Sequence, residues 1–443
     1  MSGIPNIAFD AAMAAFAPFE ARPHLAVAVS GGSDSMALVL LAHAWAKARG
    51  GQVTAITIDH GLRAGSDREA AQVDTWMRAR GIDHEVLPWT GPKPAAGRQR
   101  RARDARYALI DSCCQRRHIL HVLLGHTADD QAETHLMRLC HQSRPDGLAG
   151  MSAVRELRHC RVLRPLLGVS REDLRAMLHA HDQGWIDDPS NADPRFERTR
   201  VRRLIAKGSF SANALIATAK DYGYMRTVAE GVADQFLAHH ARLHPAGFLG
   251  LDRGPLADAE WDTATRAVGR AIATIGGRWH LPGSQPLRRV LELCRNASPT
   301  SVTLGGCKLM VAANEVTICR ERRCLPNGIR LESDMSFIWD NRIAVSAGRL
   351  PTGQWQLSAG GTQRWSDEAR RGDVYRCWRQ LPAPVRESMP VVAGPSGVFL
   401  APLLAYKVGE IEKSADFEVM DVQMAFSPRR PLSIAGFSIA NWV

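Results

Sequence analysis

The sequence predicts an α/β protein: a first domain built on a parallel sheet, then a mainly helical domain, then a small C-terminal α+β domain. Three observations predict it. Short apolar strands alternate with helical stretches through the first two hundred residues, the pattern of right-handed βαβ units. From about Ala214 helical patterns dominate, as far as residue 297. Beyond that, short alternating strands are punctuated by Gly and Pro turns. The expected domains are 1–213, 214–332 and 333–443.

Taken in order, "HLAVAV" (24–29) is a buried strand followed by a helical run to about Arg49, and "QVTAITID" (52–59) is a second strand. Ser66 and Glu69 read as a capping box ahead of a helix reaching Arg80. "HEVLPW" (84–89) is a third strand, a basic helix runs from Arg98 to Arg117, and "HILHVLLG" (118–125) is a fourth strand. Later, "DTATRAVGRAIATIGG" (262–277) is helical and "SVTLGGCKLMVAANEVTICRE" (301–321) reads as strands joined by turns. Parallel sheets bind ligands beyond the carboxyl ends of their strands. Three polar clusters sit at such ends: "SGGSDS" (30–35), "DHGLR" (59–63) and "GHTADDQAET" (125–134). The first and fourth strands can be neighbours at the switch point of such a sheet, which would bring the first and third clusters to one crevice.

The chain has 443 residues and a net charge of +11, which favours an anionic partner, nucleic acid ahead of a membrane surface. No run of about 18 uncharged apolar residues is present, so no membrane span is expected. The first thirty residues carry Asp10 and Glu20 and no basic segment, a poor signal peptide. Nine cysteines without CxxC spacing suit reduced thiols, and the expected location is cytoplasmic.

Ser30, Gly31, Gly32, Ser33, Asp34 and Ser35 join a strand to a helix. Glycines, small hydroxyls and helix N-terminal amides together form a phosphate cradle. Neither the Gly-Lys-Ser/Thr ending nor Gly-x-Gly-x-x-Gly is present, so this is neither of those two nucleotide loops. His126, Asp130 and Glu133 fall at i, i+4, i+7, one helix face, and Asp129 and Glu133 at i, i+4. Oxygen ligands beside a phosphate loop favour Mg²⁺ over zinc, and the same carboxylates could equally take a lysine ammonium. Residues 93–106 and 195–207 are strongly basic, and two such stretches flanking one site fit a polyanionic substrate better than a solvated face. Arg103 and Arg106 share a face with Tyr107 nearby, a set able to stack on an unstacked base.

The string Ser30 to Ser35 resembles the loop of the PP-loop ATP pyrophosphatases, which split ATP into AMP and pyrophosphate while activating a carbonyl oxygen. Further motifs narrow the resemblance to the tRNA(Ile)-lysidine synthetases: "DHGLR" (59–63), "ARDARY" (102–107), "HTADDQAET" (126–134), "GLAGM" (147–151), "RPLL" (164–167) and "DDPSN" (187–191), in family order over about residues 24–205. The resemblance implies ATP and Mg²⁺ as cofactors, and tRNA(Ile) with a CAU anticodon and free L-lysine as partners. It implies a lysidine at the wobble position, which moves reading from AUG to AUA. The expected catalytic residues are Asp34, Asp130 and Glu133, with Asp34 and Asp130 expected on the metal and the division of these carboxylates between Mg²⁺ and lysine left open. Ser30 to Ser35, Asp59 and His60 go to the nucleotide; Arg103, Arg106, Tyr107, Asp129, Glu133, Arg198 and Arg202 go to the substrates. A dimer is one oligomeric state left open.

Two departures stand out. The family's usual Arg-Gly-Ser-Gly is replaced by His141, Gln142, Ser143 and Arg144, losing both glycines, and its Arg-Asn-x-x-Arg reads Arg198-Thr199-Arg200-Val201-Arg202. The lost glycines motivate one alternative, a tRNA-binding protein with impaired catalysis. Another is a PP-loop tRNA thiolase, whose chemistry usually draws on the paired cysteines that this sequence lacks. A small-molecule amidotransferase is a third, disfavoured without a glutamine-hydrolysing domain.

Overall fold

The computed structural model describes residues 3–59, 61, 65–90, 98–187, 193–295, 298–362, 364–367, 369–394, 397–407 and 421–433. The chain divides into two compact units, with the boundary between Val228 and Ala229 inside a long helix.

The first unit contains α1 (Ile4–Ala15), β1 (His24–Ala28), α2 (Ser33–Lys47), β2 (Gln52–Asp59), α3 (Ser66–Ala79), β3 (Asp83–Pro88), α4 (Arg98–Arg117) and β4 (His121–Leu123). There follow α5 (Ala128–Cys140), α6 (Pro145–Leu148), β5 (Val154–Glu156), β6 (Arg161–Leu163), α7 (Arg171–Ala180), α8 (Glu197–Ala206) and α9 (Ala212–His240), which runs into the second unit. The sheet order is β3-β2-β1-β4-β6-β5. All neighbours are parallel except the edge strand β5.

Alternation along the strands explains the layering, since successive side chains leave opposite faces of a sheet. Leu25 and Val27 of β1, with Val53 and Ala55 of β2, join a core with Phe9, Met13, Leu38 and Leu178 of α1, α2 and α7. Ala26, Ile56 and Val122 face the other way, onto Ile110 and Cys114 of α4. The chain runs outward from β1 to β3, then crosses back to place β4 on the far side of β1. That crossover is the switch point, and it brings the loops after β1 and β4 together.

Local readings differ in three places, the first being the fourth strand, expected over 118–125 but spanning only His121–Leu123. Ser66 is the first helical residue of α3 rather than its cap. The cap is Gly65, left-handed at φ +93° and without a side-chain hydrogen bond. His126 lies before α5, whose cap is Thr127, so it does not share a helix face with Asp130 and Glu133.

The second unit starts in α9. The stretch expected to be helical through residue 297 contains a hairpin, β7 (Ala241–His244) and β8 (Phe248–Asp252), turning at Gly247. β7 has no buried residue and carries no alternation to mark it. Next come α10 (Arg253–Asp258), α11 (Trp261–Ile275), α12 (Ser284–Arg295), β9 (Thr300–Leu304), β10 (Cys307–Val311) and β11 (Glu315–Arg320). The hairpin extends the meander into a five-stranded antiparallel sheet, β7-β8-β11-β10-β9. α11 covers it with Ala264, Ala267, Val268, Ala271, Ile272 and Ile275, a helical stripe. The remainder comprises β12 (Ile329–Leu331), β13 (Met335–Trp339), β14 (Ile343–Ala347), β15 (Trp355–Ala359), α13 (Asp373–Gln380), α14 (Ala383–Ser388), β16 (Pro390–Gly394), β17 (Gly397–Leu400) and β18 (Val422–Phe426). These form a four-stranded and a three-stranded sheet around Trp339, Trp355, Trp365 and Trp378. No helix among the described residues is long and apolar enough to cross a membrane.

Candidate active site

A cleft of about 720 Å³ opens at the carboxyl ends of β1, β2 and β4 in the first unit. One wall is the loop Ser30 to Ser35. Ser35 closes the loop on itself: its Oγ accepts from the Ser30 N–H at 3.1 Å and donates to the Gly32 carbonyl at 2.9 Å. Gly31 has φ +84°, and a Cβ there would stand 2.8 Å from Ile186 Cδ1. Ile186 is also tied to the loop by its N–H to the Gly31 carbonyl at 2.9 Å. Only glycine satisfies both the backbone angle and that close approach. Gly32 caps α2, so the free amides of the first turn, with Ser33 and Asp34, point at the cleft.

The opposite wall is the start of α5. Thr127 caps the helix, and Asp130 returns the bond by accepting the Thr127 N–H at 2.9 Å. A Cβ on Gly125 would lie 3.1 Å from the Asp34 backbone, so the end of β4 packs directly on the loop. Asp34 and Asp130 thereby face one another, and a single guanidinium lies between them. Arg171, the first residue of α7, donates from Nε to Asp34 Oδ2 at 3.0 Å and from Nη2 to Asp130 Oδ1 at 3.2 Å. Burial raises the Asp34 carboxyl above its usual range; the Arg171 charge opposes that rise without cancelling it. Burial works against the Arg171 charge in turn, and the carboxylates of Asp34 and Asp130 more than offset it.

Behind Asp130, Glu133 is 2% exposed. It accepts from Arg198 Nε at 2.6 Å and from Arg202 Nε at 2.7 Å, while Arg198 also reaches Asp130 at 2.9 Å. At the other end, Tyr107 is buried, with Arg155 over its ring at 4.2 Å and its hydroxyl accepting from Arg164 at 3.3 Å. Burial pushes the phenol up, yet the surrounding Arg164, Arg103 and Arg155 charges bring it below its usual value. His126 is held neutral, first by burial and then by Arg164 and Arg198, and its Nδ1 has no hydrogen-bond partner among the described residues.

Comparison with known proteins fits this geometry. Residues 6–208 match the model of the PP-loop domain family. A tRNA(Ile)-lysidine synthase of Hyphomonas neptunium is 38% identical over 362 residues, 78% of this chain and 96% of that one. Namesakes from Rhizobium meliloti and Ruegeria pomeroyi are each 33% identical, covering 78% and 81% of this chain and 78% and 86% of theirs. The chain belongs to the tRNA(Ile)-lysidine synthase family.

Against that family's motifs, the structure brings Ser30, Gly32, Ser33, Asp34, Ser35 and Asp59 to one cleft with Arg103, Arg106, Tyr107, Asp130, Arg198 and Arg202. Asp59 accepts the Gly61 N–H at 2.8 Å. His60 lies outside the described residues. Asp129 and Glu133 do not line the cleft: Asp129 accepts the backbone N–H of Arg171 at 2.8 Å, and Glu133 is given to arginines. Sequence reasoning missed Arg171, which lines the cleft. Its local string, Ser170-Arg171-Glu172-Asp173, reads as an ordinary capped helix start, and nothing in it announces carboxylates far away in sequence.

Among the described residues, no group of three or more His, Cys, Asp or Glu is placed to hold a metal alone. That suits Mg²⁺, which takes one or two carboxylates and completes its shell with water and substrate phosphates. Asp34 and Asp130 are two cleft carboxylates that could supply such oxygens, and a cation, Arg171, bridges them.

Proposed function

We propose that this chain converts the wobble cytidine of tRNA(Ile), in its CAU anticodon, to lysidine, using ATP and free L-lysine. The observation that supports this reading is the meeting of the phosphate loop and the acidic start of α5 in one cleft, in a chain of this family. The loop amides, Ser30 and Ser33 receive the ATP phosphates, and Asp59 at the end of β2 is placed for the nucleoside. Arg103 and Arg106 receive the tRNA at the cleft wall. The cytosine C2 oxygen attacks the α-phosphate; the bond to pyrophosphate breaks and the C2 oxygen carries AMP. The lysine ε-amine then attacks C2, and AMP leaves with that oxygen. Asp34 and Asp130 would hold Mg²⁺, which when bound would neutralise phosphate charge. The loop amides stabilise the charge that develops on the phosphate oxygens. The lysine ammonium must lose a proton first, at a cost of roughly 4–5 kcal/mol at pH 7. The nine cysteines, all free thiols, fit a reducing cytoplasm.

Nucleosides from tRNA(Ile) incubated with the protein, ATP and L-lysine should contain lysidine by mass spectrometry. Pyrophosphate exchange that depends on tRNA separates a ligase from a protein that only binds tRNA. Absence of both would overturn the reading.

A further inference from the structure

We propose that Arg171 is a placeholder cation that keeps metal off the Asp34–Asp130 pair until nucleotide arrives. The inference rests on the assignment of Mg²⁺ to that pair. The Arg171 guanidinium occupies the space a shared metal would need, bridging carboxylates from α2 and α5 at 3.0 and 3.2 Å and standing 3.7 Å from Glu133. The other oxygen of each carboxylate accepts a hydrogen bond from within the protein. Ser33 donates to Asp34 Oδ1 and the Thr127 N–H to Asp130 Oδ2, so the oxygens turned toward a shared cation are Asp34 Oδ2 and Asp130 Oδ1, the two that Arg171 holds.

The charge count gives the coupling. Three guanidiniums, Arg171, Arg198 and Arg202, oppose three carboxylates, Asp34, Asp130 and Glu133, and this group is neutral as it stands. A divalent ion entering alone would leave an excess of positive charge in a partly buried site, where such an excess is poorly screened. An ion entering with a polyphosphate would not. The side chain is built to yield. Its backbone is pinned by Asp129 at 2.8 Å and by the Ser170 cap of α7, while the guanidinium rides on a flexible stem. Asp130 keeps Arg198 at 2.9 Å when Arg171 withdraws, so that carboxylate is not stranded. Arg171 thus acts through Asp34 and Asp130, as a positioning residue.

Mn²⁺ binding to the full chain, followed by electron paramagnetic resonance, tests this without turnover. The wild type should bind Mn²⁺ only when a non-hydrolysable ATP analogue is present. Arg171→Gln should bind Mn²⁺ without nucleotide, about ten- to a hundredfold tighter than wild type, the scale of one charge-assisted bond. Asp34→Asn in that background should remove the new binding, and Arg171→Lys, which keeps a cation, should restore exclusion. The inference is overturned if wild type binds Mn²⁺ alone as tightly as it does with nucleotide, a result that needs no variant to fold. It is equally overturned if Arg171→Gln, with a native circular dichroism melt, gains nothing. Nucleotide-free binding by wild type that Asp34→Asn abolishes would sink the placeholder and leave the metal assignment standing. No Mn²⁺ binding even with the analogue would sink both.

Discussion

The guanidinium of Arg198 donates to the carboxylate of Glu133 at 2.6 Å, and this contact decides what Glu133 does. With Arg202 on its other oxygen at 2.7 Å and almost no exposed surface, Glu133 is the anchor that holds two arginines of α8 against α5. Spacing along α5 alone would hand the same residue to a substrate amine.

Glu133→Gln should therefore act first on structure. It removes the charge from at least two strong hydrogen bonds, each worth about 1.5–3 kcal/mol. Both arginines are partly exposed, so solvent recovers part of that loss. The expected result is a lower thermal midpoint, with pyrophosphate exchange and lysine transfer weakened together. An unchanged melt with only the KM for lysine raised would show that Glu133 meets the amine directly.

Much of the first unit was legible because its signals are local. The limits of β2 and α4 coincide with what periodicity and charge give, and the adjacency of β1 and β4 follows from the βαβ rule. What was not legible comes from partners distant in the chain. Arg171 meets Asp34 across 137 residues of sequence, and Arg198 meets Glu133 across 65. Helix spacing reports which residues share a face, not which charge from another helix arrives to occupy it. Hairpin β7–β8 escaped for a different reason: strands of four and five residues, one of them with no buried residue, leave too little alternation to read.

Asp34→Asn should separate stability from activity. Burial raises the native Asp34 pKa, so its stabilising contribution is present below the ordinary aspartate value and is lost as pH rises through the native one. At neutral pH burial disfavours the ionised group, but the amide also takes a carboxylate from the Arg171 guanidinium it supports, so the thermal midpoint should change little. Pyrophosphate exchange should fall by about 10²–10³, the scale of one lost electrostatic stabiliser. Full exchange by a folded Asp34→Asn protein would remove Asp34 from the chemistry.

Binding of tRNA should depend steeply on salt. Arg203 and Lys207 are exposed on and just after α8, whereas Arg202 is engaged with Glu133 and is a poor probe of surface charge. Replacing Arg203 and Lys207 by alanine should flatten the log–log slope by about 1.4–1.8, at 0.7–0.9 for each phosphate released. A slope that does not move would assign this face to solvent.

Alkaline pH should destabilise the second unit through its thiols. Burial pushes Cys307 up to about 12, and Cys294 and Cys319 up to about 11. A raised native pKa means stability that is full below the unfolded value near 9 and is lost as pH climbs toward 12. Denaturant midpoints across that window should fall, and Cys307→Ala should make the fall shallower. In the native protein at neutral pH, iodoacetamide should modify the exposed Cys140 and Cys324 while Cys307 stays protected. Equal labelling of Cys307 and Cys140 would contradict its burial.

The last prediction concerns the glycines this chain lacks. α5 ends in a Schellman motif: the Gln142 N–H bonds the Leu139 carbonyl at 3.0 Å and the Ser143 N–H bonds the Arg138 carbonyl at 2.9 Å. That geometry requires a left-handed residue at position 142, and Gln142 adopts it at φ +50°. The first lost glycine thus leaves the backbone shape in place and substitutes a side chain that resists it. The second is of no conformational consequence, because Arg144 is extended at φ −67° and ψ 166°. This weakens the case that the missing glycines disable the site. A non-glycine residue in the left-handed region costs roughly 1–2 kcal/mol, and glycine returns about 0.4–1 kcal/mol of that through the flexibility it adds to the unfolded chain. Gln142→Gly should therefore stabilise the protein by up to about 1 kcal/mol and leave pyrophosphate exchange unchanged. A thermal midpoint that falls would mean Gln142 makes a contact worth more than its strain. A large gain in exchange would mean the glutamine side chain, rather than the backbone, had been obstructing the substrate.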